Sequence, residues 1–327
     1  MTRSPAKTDK SGATPDSDAS SAVASGSAGR IELVVQRVSC ELERAFAQTQ
    51  EAGLYLVATP IGNLGDISLR ALAVLARADV IYAEDKRHSA TLLNHFAIKA
   101  PLRSYHEHNA EKERPNILAA LETGERVALI SDAGTPLISD PGYKLVRSVL
   151  AEGHAVISIP GASAPLTALT SAGLPTDTFL FAGFLPTRKE ARRGRIAELA
   201  QTPATLIFFE APTRLAESLD DLSAVLGQRP AAVARELTKI NEEFVRGELA
   251  ELATHYRGRT VKGEIVILVG PPAPVEITDE DIKSRLAEAL VELSLRDAAR
   301  LIAEDLGVAK TRVYDLGLAI KRELDGR

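Results

Sequence analysis

From Gly53 onward, short apolar runs alternate with amphipathic stretches. The run at residues 127–130 is bounded by Gly124 and Asp132. It is too short for a helix and apolar on both faces, which predicts a strand buried in a parallel sheet. Residues 54–58, 80–83, 102–105 and 155–159 predict further strands of this kind. Helical spacing fills the gaps between them. Ser68 caps a helix with Leu69, Leu72 and Leu75 on one side. Other helices are expected near residues 89–96, 113–121, 143–151 and 164–172. Strands regularly followed by helices predict a mostly parallel sheet with helices on both faces.

Residues 173–177, Gly-Leu-Pro-Thr-Asp, read as a domain boundary. A second unit follows, with strands expected at 179–185, 205–209, 232–235 and 265–269 and helices near 189–200, 212–225 and 248–256. The stiff Pro/Ala run at 271–274 is a linker. Helices are expected beyond it at 282–291, at 295–306 with Ser294 as N-cap and Asp297 as its partner, and at 311–321 after Gly307. The last pair resembles a helix-turn-helix, a pattern shared by many αα-hairpins. Residues 1–30 are rich in Ser, Ala, Thr, Gly and Asp without an apolar period, so disorder is expected there. Residues 31–52 regain apolar and charged character and suit a helix. The layout is thus an extension at 1–52, units at 53–175 and 176–272, and a helical module at 276–327.

The chain has 327 residues, 45% hydrophobic and 25% charged, with a formal net charge of −5. This is ordinary globular composition. The negative balance argues against coating nucleic acid with the whole surface but leaves room for a local basic face. The lone Cys40 rules out an internal disulfide and suits a reducing, cytoplasmic compartment. No apolar run reaches the roughly 20 residues needed to span a bilayer.

Chemistry concentrates where strands end. Thr59–Ser68 follows the first strand, Ser131–Gly142 the fourth and Pro160–Ser163 the fifth. In open α/β sheets, ligands bind beyond the carboxyl ends of strands. None of these loops is a dinucleotide fingerprint or a phosphate-binding P-loop. Their glycines let backbone approach a ligand closely, and their prolines limit the ordering cost. Glu84, Asp85, Lys86, Arg87 and His88 at the end of the second strand form either a polar site wall or a solvated helix start. His106 and His108 lack a third metal ligand nearby, so no metal is expected. Arg188, Lys189, Arg192, Arg193 and Arg195 crowd one segment, which is either a solvated surface or a dock for a phosphate backbone. Glu236 and Lys239 follow the strand at 232–235.

Taken in order, these loops resemble the small-subunit ribosomal RNA methyltransferases. This group sits within the tetrapyrrole-methylase-like, class III S-adenosylmethionine-dependent methyltransferases. The resemblance is carried by Leu-Tyr-Leu-Val-Ala-Thr-Pro-Ile-Gly-Asn-Leu at 54–64, Ala-Glu-Asp-Lys-Arg-His at 83–88, Ser-Asp-Ala-Gly-Thr-Pro-Leu-Ile-Ser-Asp-Pro-Gly at 131–142 and Pro-Gly-Ala-Ser at 160–163. Gly-Phe-Leu-Pro at 183–186, Glu-Leu-Thr-Lys at 236–239 and Lys-Gly-Glu at 262–264 continue it, over about residues 53–321. Lys86 and Ala162 depart from the pattern, where Thr and Pro are expected.

The resemblance implies two αβα domains with mostly parallel or mixed sheets and a small C-terminal helical module. It implies a homodimer that 2′-O-methylates a cytidine ribose in the decoding region of 16S rRNA, within the 30S subunit. S-adenosylmethionine is then expected at Pro60, Gly62, Leu64, Asp132, Ala133, Gly134, Pro136, Pro160, Gly161 and Ser163, with Phe184 and Leu185 from the second domain. A ribose hydroxyl is a weak nucleophile, so a general base or a cation should activate it. The candidates are Asp85 first, then Glu84, His88 and Lys239. The competing readings are a corrin-precursor methyltransferase on the same fold and a non-catalytic RNA-binding relative. The first loop, Thr-Pro-Ile-Gly-Asn-Leu, and the basic segment favour RNA over a tetrapyrrole.

Overall fold

The computed structural model describes residues 17–273 and 277–325. Helix α1 (Ser17–Ala47) leads into β1 (Gly53–Val57), α2 (Leu69–Arg77), β2 (Val80–Ala83), α3 (Lys86–His95), β3 (Leu102–Ser104) and α4 (Ala110–Glu122). Then come β4 (Arg126–Ile130), α5 (Tyr143–Ala151), β5 (Val156–Ile159) and α6 (Ala164–Ala172). The second half of this unit has β6 (Phe179–Phe184), α7 (Lys189–Leu199), β7 (Thr205–Glu210), α8 (Leu215–Leu226), β8 (Pro230–Arg235), β9 (Glu243–Glu248), α9 (Leu249–Tyr256) and β10 (Ile265–Val269). The chain divides into a unit up to Pro271 and a second one after it.

The first sheet has the order β3-β2-β4-β1-β5, with every pairing parallel. Its strands read as unbroken apolar runs because both faces are covered. Side chains alternate across the pleat. Tyr55, Val57, Ile81, Ala83, Ala128 and Ile130 enter the core on one face. Leu54, Val80, Tyr82, Val127 and Leu129 enter the core on the other. Ser68 caps α2 as expected, its hydroxyl accepting from the Ala71 N–H at 3.1 Å.

The second sheet is mixed, in the order β6-β7-β10-β8-β9. Only β6 and β7 run parallel, and β10 pairs antiparallel with both β7 and β8. The edge strand β9 was not expected from sequence. Its half-exposed Glu-Phe-Val-Arg-Gly-Glu pattern carries little apolar signal, and Gly247 weakens the strand reading.

One face of this second sheet packs on α6. Ala168, Leu169 and Ala172, together with Ile61 from the loop after β1, share a core with Ile207, Ala232, Ala234, Val266 and Leu268. Small side chains on both surfaces let the helix lie close to the sheet. Arg246 reinforces the join by donating to the Ala172 carbonyl at 3.2 Å.

Residues 1–16 of the stretch expected to be disordered lie outside the described residues. From residue 17 the backbone is helical, as α1. The missing apolar period argued for disorder, but alanine's high helix propensity lets the helix of residues 31–47 extend backward. In the second unit, α10 (Asp279–Ala289), α11 (Leu295–Leu306) and α12 (Lys310–Asp325) enclose a core of Ile282, Leu286, Ala298, Ile302 and Val313. The Ser294 hydroxyl caps α11, accepting from the Asp297 N–H at 3.3 Å.

Ala234 is fully buried in the core between α6 and the second sheet. Ala234→Leu is expected to overpack it and lower stability by about 1–3 kcal/mol in urea unfolding. Stability within error of the wild type would show that the join is loosely packed.

Candidate functional site

The segment after β4 ties the strand ends together. Thr59 and Gly134 exchange backbone hydrogen bonds of 2.9 and 3.1 Å, joining the loops after β1 and β4. The Thr59 hydroxyl donates to the Ser131 carbonyl at 3.2 Å, and Ser131 Oγ to the Gly134 carbonyl at 3.1 Å. Thr135 Oγ1 donates to the Ala162 carbonyl in the loop after β5 at 3.2 Å. Asp132 Oδ1 accepts from the Asp85 N–H at 2.9 Å, which brings in the loop after β2. Gly134 sits at φ +80°, a left-handed conformation that glycine adopts freely. Leu137 and Ser139 adopt φ of +73° and +66° without that freedom. Such strain persists only where surrounding contacts hold it.

The second sheet's loops meet this assembly. The Asn63 N–H donates to Thr238 Oγ1 at 3.1 Å. Gly62 lies so near the same loop that a Cβ there would stand 2.8 Å from the Leu237 carbonyl oxygen. Glu236 and Thr238 are also left-handed, at φ +52° and +65°. Lys239 Nζ donates to Glu236 at 2.8 Å and to Glu264 at 3.2 Å. Burial pulls the Lys239 ammonium down, but its bonds to these two carboxylates outweigh that and leave it above its usual value. Glu210, fully buried at the end of β7, accepts from Ala211 N–H, Ser218 and Arg214, which fixes the turn at 211–214.

Two cavities flank the Ser131–Thr135 segment. The first, about 370 Å³, is walled by Phe184, Phe209, Ile138 and Ile265, with Asp132 and Asp140 on its polar side. The Phe184 and Phe209 rings stand 5.4 Å apart. The second, about 350 Å³, is bounded by Pro60, Gly62, Leu64, His88, Ser89 and Lys239. Ile61, Asp132, Ala133 and Glu264 line both.

The expected cofactor residues divide between these spaces. Asp132, Ala133, Gly134, Ser163 and Phe184 line the first cavity. Pro60, Gly62 and Leu64 line the second, with Asp132 and Ala133 again on its wall. Pro136 and Glu84 line neither of these cavities and border a small void of about 10 Å³ beside Asp140. Leu185 is buried in the core of the second sheet. Gly161 lies against Ala58, where a Cβ would come within 2.9 Å of the alanine's own. Pro160, Gly161 and Leu185 line neither cavity.

Among the activating candidates, His88 and Lys239 face the second cavity. Asp85 caps α3: its carboxylate accepts from the Arg87 N–H at 2.7 Å, which holds it below the usual carboxylate range, and it lines neither cavity. Glu84 is raised by burial and by the nearby Asp132 charge.

The basic segment behaves differently from an open patch. Arg192 is buried, 2% exposed, and pairs with Asp221 at 2.7 Å. Arg193 pairs with the same carboxylate, and Arg195 with Glu198. Arg192 therefore holds α7 to α8 and cannot meet a polyanion. A lone charge run gives no sign that an acid lies opposite it in space. Arg188 and Lys189 remain exposed, with no ion pair among the described residues.

Glu210 at the end of the strand at 205–209 and Glu264 in the 262–264 motif are charged groups at strand ends of the second sheet, and both line the first cavity. Sequence reasoning missed Ser89 and Asp140 as cavity residues, because their placement is set by tertiary packing. Asp140 lies within the motif at 131–142, and nothing in the chain sets it apart from its neighbours there. Burial, then the Glu84 charge, raises its carboxyl to about 6.

The chain matches two family models: tetrapyrrole (corrin/porphyrin) methylases over residues 53–253, and the RsmI C-terminal HTH domain over residues 276–321. It is 50% identical to the ribosomal RNA small subunit methyltransferase I of Mesorhizobium japonicum over 277 residues, 84% of this chain and 94% of that protein. The like-named protein of Halalkalibacterium halodurans is 46% identical, covering 84% and 98%. That of Escherichia coli is 45% identical, covering 83% and 96%. Among solved structures, a cobalt precorrin-4 methyltransferase aligns with TM-score 0.51 at 19% identity, over 66% of this chain and 94% of that one. A diphthine synthase aligns with TM-score 0.54 at 15% identity, over 66% and 89%. At these identities the solved structures show the fold.

Because its folded value is raised, Asp140 contributes stability that is fully present below its unfolded value near pH 4 and lost as pH rises through about 6. Asp140→Asn is expected to melt about 2 °C above the wild type at pH 7.5 and with no gain at pH 4. Equal melting at both pH values would show that the carboxyl is not held in an unfavourable site.

Proposed function

Because the chain belongs to the tetrapyrrole (corrin/porphyrin) methylase family, we propose that it is a methyltransferase of small-subunit ribosomal RNA, acting on the 2′-oxygen of a cytidine ribose in the decoding region of 16S rRNA. The relatives that it matches over most of its length carry the name ribosomal RNA small subunit methyltransferase I. S-adenosylmethionine supplies a methyl group activated on a sulfonium. The first cavity fits that cofactor. Its volume of about 370 Å³ lies within the range of small-molecule sites. Phe184 and Phe209 offer aromatic faces to a flat ring, and Asp132 and Asp140 offer negative charge to a cation.

The single observation that carries the reading is the shared wall. Ile61, Asp132, Ala133 and Glu264 face both cavities, so a donor on one side and an acceptor on the other are held in register. Methyl transfer needs alignment above all, and the interlocked loops supply it. On the acceptor side, Lys239 is kept charged between Glu236 and Glu264. Its ammonium stabilises negative charge on the acceptor oxygen as the hydroxyl proton leaves. The His88 imidazole stands on the same wall to take that proton. Arg188 and Lys189 provide exposed cations for the RNA backbone. The reading includes a homodimer working in the cytoplasm on the 30S subunit.

The test is methyl transfer from labelled S-adenosylmethionine to 30S subunits from a strain lacking this protein. The expected product is one 2′-O-methylcytidine in 16S rRNA. Lys239→Met is expected to lower kcat about 100-fold. Label found on a tetrapyrrole substrate, or on no RNA at all, would contradict the reading.

A further inference from the structure

Ser89 lies on α3 and lines the second cavity. It is 2% exposed, and its Oγ has no hydrogen-bond partner among the described residues. Buried hydroxyls are nearly always hydrogen-bonded, and a bare one costs stability. The other hydroxyl side chains on this wall are spent within the protein. Thr59 donates to the Ser131 carbonyl at 3.2 Å, Thr91 to the Arg87 carbonyl at 3.3 Å and Ser131 to the Gly134 carbonyl at 3.1 Å. The Ser89 backbone is fixed meanwhile, its N–H donating to the Asp85 carbonyl at 3.0 Å. Ser89 thus lines a cavity that shares a wall with the cofactor cavity, and its unsatisfied hydroxyl is enclosed just behind that wall, where a turn about the Cα–Cβ bond changes its aim.

We propose that Ser89 Oγ, turning into the second cavity, binds the ribose of the acceptor, a single RNA nucleotide drawn in there. This rests on the methyltransferase reading above and deepens it. A serine hydroxyl both donates and accepts, as ribose hydroxyls do, so each can satisfy the other. A cavity of about 350 Å³ has no room for a base-paired segment, so the nucleotide enters extruded from its stack. Lys239 and His88 stand on the same wall, so a ribose held by Ser89 lies beside the groups that activate its 2′-oxygen. Ser89 is a binding residue and takes no proton.

The test compares wild type and Ser89→Ala by methyl transfer to 30S subunits, by S-adenosylmethionine binding in calorimetry and by thermal melting. The alanine keeps the packing and removes only the bare hydroxyl. The expected result is a fall of about tenfold in kcat/KM for subunits, cofactor Kd within twofold of the wild type, and a Tm unchanged or about 2 °C higher. Two results would overturn the proposal: an unchanged kcat/KM, or a loss of kcat/KM accompanied by a lower Tm, which marks a structural hydroxyl. If the wild type itself transfers no methyl group to subunits, the methyltransferase reading fails in the control, and this inference falls with it.

Discussion

The close packing of α6 against the second sheet sets the geometry on which the site depends. Ala168 and Ala172 on the helix meet Ala232 and Ala234 on the sheet, and Leu169 and Ile61 fill the space between Ile207, Val266 and Leu268. Ile61 belongs to the loop after β1 and lines both cavities. The residue that joins the two sheets is therefore also part of the wall between the two binding spaces. Larger side chains at the alanines would part the sheets and move that wall, and shifts of this size matter to a reaction that depends on alignment.

Polar contacts then make the join specific. The Ser131–Thr135 segment binds the loops after β1, β2 and β5 through Thr59, Asp132 and Thr135. Thr238 and Lys239 bring the second sheet's loop onto Gly62 and Asn63. The left-handed residues Leu137, Ser139, Glu236 and Thr238 cluster in these loops. Charge is sorted as well: Lys239 is paired with Glu236 and Glu264, whereas burial raises the carboxyls of Glu84 and Asp140.

Much of this was legible in the chain. The unbroken apolar run at 127–130 signalled a doubly covered strand, and the Gly/Pro loop after it marked the ligand site. The ordered motifs at 54–64, 83–88, 131–142 and 236–239 pointed to the methylase fold and its methyltransferase chemistry. What stayed hidden depends on tertiary placement. The edge strand β9 carries little apolar pattern because only Phe244 and Val245 pack, half-buried, against the cores on the two faces of its sheet. Arg192 looked like part of an exposed basic patch because Asp221 lies on another helix. Ser89 sits beside the charged cluster at 84–88 as an ordinary helix residue, and only the missing partner of its hydroxyl distinguishes it.

Donor and acceptor divide between two cavities across one wall, and a crystal structure with bound S-adenosylhomocysteine tests this division. The ligand is expected in the first cavity, with its adenine beside Phe184 and Phe209 and its sulfur at Asp132–Ala133, leaving the second cavity open beside His88 and Lys239. A ligand seated in the second cavity, against Pro60, Gly62 and Ser89, would contradict it.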